Sequence, residues 1–60
     1  MNILRELRRK NHYTQEEIAK YLGYKSKSGY SMLENDKVRL TIDKAKLLAK
    51  LYKVNIRDFF

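Results

Sequence analysis

Few side chains in this chain can do chemistry, and they are of limited kinds. His12 is the only histidine and there is no cysteine, so neither a thiolate nucleophile nor a metal cluster of Cys and His can be assembled. Carboxylates such as Glu17 and Asp58 fall at helix starts, where they serve as caps. No acid, base, nucleophile or metal group comes together as catalysis requires. What remains is hydrogen bonding and positive charge: 14 Lys and Arg against 7 Asp and Glu, a net charge of +7. This excess draws a polyanionic partner by steering and counterion release. The most informative stretch is the run Thr14 to Gly23, a capped short helix ending in a tight turn, followed by Ser26 to Lys37, which reads as a second short helix. That helix offers Lys27, Ser28, Ser31 and Met32 to the outside. A helix held out in this way by a small basic domain suggests a probe for a DNA groove, although composition alone equally allows RNA or an anionic membrane surface.

The elements that must hold such a probe are short. Sixty residues make one domain, spanning 1–60, whose stability rests on helix packing with no disulfide to help. Asn2 is placed to cap a first helix of about 3–10, with Ile3, Leu4 and Leu7 on one face. Thr14 followed by Glu17 has the spacing of a capping box and opens a second helix ending near Leu22. Gly23 stands where a helix stop takes positive φ. Ser26 is the expected N-cap of a third helix reaching about Glu34, with Tyr30 and Leu33 pointing inward. Thr41 caps a fourth, on which Ile42, Ala45, Leu48, Ala49 and Tyr52 recur at helical spacing. Asn55 with Asp58 starts a last turn carrying Ile56, Phe59 and Phe60. Nothing alternates with strand period, so the fold class is all-α. No apolar run approaches membrane-spanning length and no signal-peptide core follows Met1, which makes a cytoplasmic protein the expectation.

Several positions match a known pattern at once: Thr14-Gln15-Glu16-Glu17-Ile18-Ala19, Leu22-Gly23, Ser26, Tyr30-Ser31, Leu33-Glu34-Asn35 and Lys37. With the opening Leu4-Arg5-Glu6-Leu7-Arg8 and the closing Asp58-Phe59-Phe60, the whole chain resembles the Cro/repressor-type helix-turn-helix family of phage and bacterial regulators. The resemblance implies a five-helix lambda-repressor-like domain with its helix-turn-helix at about 15–34. Ala19 is small where the two helices of such a motif cross closely. Glu34 stands where the family pairs a carboxylate with an arginine of helix 1, here Arg8. Two departures stand out. Tyr24-Lys25 makes the turn one residue longer than usual, and Asp36 replaces the customary glycine after Asn35. Aspartate tolerates the left-handed conformation better than most residues.

The resemblance also distributes roles. Helix 26–34 becomes the recognition helix, with Lys27, Ser28, Ser31 and Met32 at base edges and Gly29 allowing its backbone to approach DNA closely. Gln15, Lys25, Asn35, Lys37 and Arg39 fall to phosphate. Against these roles stand plainer ones: a solvated Lys27, ordinary surface serines, a Met32 in the core. Lys44, Lys46, Lys50 and Lys53 read as a solvated face, as do Arg5 and Arg9. One of Phe59 and Phe60 plugs the core beside Leu4 and Leu51, and the other, with Ile56 or Val54, joins a dimer interface. The expected partners are therefore a double-stranded DNA operator and a second copy of the chain, with no cofactor, no metal and no membrane. A repressor is the function the resemblance implies. The alternative on the same fold is an antitoxin or other protein-interaction module, supported by the apolar tail Ile56 to Phe60.

Overall fold

Caps and stops divide the chain into four α-helices and a closing turn. The computed structural model describes residues 2–60, in the order α1 (Asn2–Lys10), α2 (Gln15–Tyr21), α3 (Lys27–Glu34), α4 (Ile42–Tyr52) and a short 3-10 helix (Ile56–Phe59). No strand occurs among the described residues. The fifth helix expected from the sequence is thus one 3-10 turn rather than an α-helix. Its four residues are opened by Asn55, whose side chain accepts from the Arg57 backbone at 2.9 Å. The first helix includes Asn2, whose side chain lies outside the described residues together with its expected capping role.

The capping box is complete. Thr14 Oγ1 accepts from the Glu17 backbone at 3.1 Å, and Glu17 Oε1 accepts from the Thr14 backbone at 2.8 Å. Thr41 caps α4 in the simpler way, accepting from Lys44 N at 3.3 Å. Ser26 departs from expectation. It occupies the N-cap position of α3 in extended conformation but makes no side-chain cap bond; its hydroxyl instead lies 2.7 Å from that of Ser28.

All four α-helices stop on a residue in the left-handed region: His12 (φ 62°), Gly23 (φ 89°), Asp36 (φ 58°) and Lys53 (φ 57°). Each stop is closed by the next residue's N–H reaching back to a carbonyl five residues earlier, at 2.8 to 3.0 Å: Tyr13 to Arg8, Tyr24 to Ala19, Lys37 to Met32 and Val54 to Ala49. This satisfies carbonyls that a helix end leaves orphaned. Only one of the four stops is glycine.

The core gathers Leu4, Ile18, Ala19, Leu22, Tyr30, Leu33, Leu40, Ala45, Leu48, Tyr52 and Phe59 from every element. Each fully buried Leu or Ile contributes roughly 1.5–3 kcal/mol by leaving water. Helices α2 and α3 pack most extensively against one another, and Ala19, 1% exposed, lies buried on α2 in that packing. Helix α1 closes over α3 and the 3-10 turn. Ile42, expected in the inward stripe of α4, is 55% exposed. As the first residue of the helix it sits before α4 reaches the core, beside Val38 and Phe60.

Candidate nucleic-acid interface

Helix α3 is two-faced. Tyr30, Leu33 and Glu34 are buried, whereas Lys27, Ser28 and Met32 are exposed and Ser31 is half-buried. What fixes the buried face is unusual chemistry for a small core: among the described residues Glu34 is the one buried charged residue, its side chain fully out of solvent. Arg8 Nε donates to Glu34 Oε2 at 2.6 Å, and Arg8 Nη2 and Arg5 Nε each donate to Oε1 at 3.4 Å. Gln15 Nε2 adds a bond to Oε1 at 3.2 Å. Arg8 also donates to the Tyr13 carbonyl at 3.0 Å, which ties the α1–α2 connection into the same knot.

Burial alone pushes the Glu34 carboxyl up, but hydrogen bonds from Arg8 and Gln15 and the Arg8 charge outweigh it and hold the group at about 2. Its hydrogen bond to Glu34 raises the Arg8 guanidinium further above its already high value. Burial, and then the adjacent carboxylate, push the Tyr30 phenol far above its ordinary range. At any neutral pH this knot is therefore a carboxylate among donors. A buried charge without these partners would cost several kcal/mol.

The side chains assigned to phosphate are positioned around this knot. Asn35 Oδ1 accepts from Arg5 Nη2 at 3.1 Å while its Nδ2 donates to Ser31 Oγ at the same distance, so the side chain is aligned from both ends. Gln15 is half-buried with its amide committed to Glu34. Lys25, Lys37 and Arg39 are exposed on the turns at either end of α3. Arg5 was read as part of a solvated face; instead it bridges Glu34 and Asn35. The available signal was its position three residues before Arg8, which puts both guanidiniums on one side of α1.

Two further residues differ from expectation. A Cβ on Gly29 would lie 2.6 Å from Tyr24 Cδ1 and 3.0 Å from its Cγ, so the phenol ring covers the site where bare backbone was expected to meet DNA. Lys44, read as solvated, places its Nζ 5.0 Å from the centroid of the same ring. The remaining lysines of that set, Lys46, Lys50 and Lys53, are exposed.

The two terminal phenylalanines divide. Phe59 is 3% exposed in the core and Phe60 is 70% exposed. Phe60, Val38 and Ile42 rim an apolar depression of about 620 Å³ whose floor includes Leu40 and Phe59. Ile56 is half-buried.

A family model for the helix-turn-helix matches residues 4–59. The chain belongs to the Cro/repressor-type helix-turn-helix family. That family binds DNA through a helix-turn-helix, here α2, the turn 22–26 and α3. No match was found among curated proteins or among solved structures. No helix among the described residues is long and apolar enough to cross a membrane.

Proposed function

We propose that the chain is a sequence-specific double-stranded DNA-binding domain acting as a transcriptional repressor of phage, mobile-element or bacterial origin, in the cytoplasm. The observation that carries this is the two-faced α3: its inner face is locked to α1 and α2 through Glu34, and its outer face presents Lys27, Ser28 and Met32. Lying in the major groove, α3 directs Lys27 toward guanine O6 and N7, Ser28 and Ser31 toward either base type, and Met32 toward a thymine methyl. Gln15, Lys25, Asn35, Lys37 and Arg39 hold the backbone on either side and set the register without reading sequence.

Repression follows from occupying an operator that overlaps a promoter. Two copies on a symmetric operator read half-sites about one helical turn, roughly 34 Å, apart. Phe60 with Ile56 forms the contact between copies, Phe59 supporting it from beneath. The same apolar depression favours the second reading, an antitoxin-like module whose partner fills the groove between Val38, Ile42 and Phe60. A partner that co-purifies, with no retention on duplex DNA at low salt, selects that reading.

The deciding measurement is affinity for duplex DNA against salt. Three cationic phosphate contacts, Lys25, Lys37 and Arg39, give a log–log slope of roughly −3 per protomer at about −0.9 per contact. A flat slope overturns DNA binding as the function.

A further inference from the structure

In the turn between α2 and α3, Tyr24 has a structural task. Tyr24 follows the left-handed Gly23 and its backbone N–H reaches the Ala19 carbonyl at 2.9 Å, so it closes the stop of α2. Its side chain is half-buried and packs against the core cluster. The ring occupies the space a Cβ on Gly29 would need, with Cδ1, Cγ and Cε1 at 2.6, 3.0 and 3.2 Å from that position. Lys44 of α4 places its ammonium 5.0 Å from the ring centroid. One side chain therefore contacts the first turn of α3 and the first turn of α4 while its own backbone terminates α2. Burial raises the phenol's pKa, in keeping with a ring drawn out of solvent.

We infer that Tyr24 is a positioning residue for base recognition: seated on Gly29 and flanked by Lys44, it sets the direction in which Lys27 and Ser28 leave the turn. Gly29 is its counterpart, a residue small enough for the ring to lie against the helix backbone. This rests on the DNA-binding function proposed above. The geometric reason is proximity in sequence as well as space. Lys27 and Ser28 lie between Tyr24 and Gly29, so the ring bridges both ends of the segment that carries them. The far end of α3 is held by Glu34, about 7.5 Å along the helix axis from Gly29, so the two anchors act on opposite halves of the helix. Without the ring, the Ser26 hydroxyl cannot substitute for it, because Ser26 makes no cap bond to α3.

The test uses the whole chain and two duplexes, one selected from a random pool by the wild-type protein and one scrambled, with their affinity ratio as the readout. Tyr24→Ala is expected to lower that ratio about tenfold or more while leaving affinity for the scrambled duplex and its salt slope unchanged, because phosphate contacts are retained. Tyr24→Phe keeps the ring and is expected to keep the ratio. Gly29→Ala, which displaces the ring, is expected to lower the ratio as Tyr24→Ala does, and the double variant is expected to be no worse than either alone. Where Tyr24→Ala loses helicity, Gly29→Ala decides: a lowered ratio supports the role and an unchanged one overturns it. A wild-type ratio well above one that both variants leave intact overturns the role of Tyr24 alone. A wild-type ratio of one overturns sequence-specific DNA binding itself, and the role of Tyr24 with it.

Discussion

Arg8 Nε meets Glu34 Oε2 across 2.6 Å and joins the last turn of α1 to the last residue of α3. The pair lies at the end of α3 away from the turn, and Arg5 and Gln15 donate to the same carboxylate. Removing the carboxylate leaves these donors facing one another in a partly buried space. Glu34→Ala is expected to cost about 3 kcal/mol, at the lower end for breaking a buried pair, measured as a drop in the urea midpoint without a change in slope.

The same carboxylate gives stability an acid limb. Glu34 ionises at about 2 in the folded chain against an ordinary 4.5, so folding favours its charged form. Its contribution is complete above pH 4.5 and is lost progressively as pH falls toward about 2. Glu34→Gln is expected to flatten the stability profile across that window. Thermal melts between those pH values check it, and an unchanged acid limb refutes the assignment.

Tyr52 gives the alkaline counterpart. Burial pushes its phenol up to about 12 from an ordinary 10, so the fold favours the neutral form. That contribution is present below pH 10 and is lost as pH rises toward about 12. Tyr52→Phe is expected to soften the alkaline limb. At neutral pH it leaves stability unchanged or raised by about 1 kcal/mol, because the buried hydroxyl meets no hydrogen-bond partner among the described residues.

Left-handed stops offer a fourth, purely conformational prediction. Lys53→Gly at φ 57° is expected to stabilise the chain by about 1 kcal/mol, since glycine adopts this region without the Cβ penalty. Gly23→Ala at φ 89° is expected to destabilise it by a similar amount. No atom lies within 4 Å of the added methyl, so backbone strain is the whole effect. Equal melting temperatures for all three proteins contradict this account.

On DNA, the base and phosphate roles separate. Lys27→Ala is expected to relax preference at one base position and to cost about 1–3 kcal/mol there. Gln15→Ala is expected to weaken binding to every duplex alike. Selection from random duplexes with each variant checks both, and a position-specific loss with Gln15→Ala contradicts its assignment to phosphate.

Much of the fold is legible in the sequence because its signals are local. Thr14 and Glu17 sit three residues apart and complete their box with no help from elsewhere. Gly23 stops α2, and Asp36 takes the left-handed conformation in glycine's place. The inward Tyr30 and Leu33 follow from helical spacing. Less legible were residues whose role depends on a distant partner. Arg5 joins Glu34 and Asn35 across 29 and 30 residues; its spacing from Arg8 puts it on the right side of α1 but names neither partner. Ser26 had the right type and position for a cap, yet its hydroxyl turned to Ser28.

The sequence by itself determined the helix-turn-helix and the boundaries of its helices, because caps, stops and apolar spacing act within a few residues. Only the tertiary structure decided which phenylalanine enters the core, that Arg5 joins Arg8 at Glu34, and that Tyr24 lies over Gly29. Those outcomes depend on how α1, α3 and α4 pack around one small interior. Packing compares every side chain with all the others at once, and a sequence lists them one at a time.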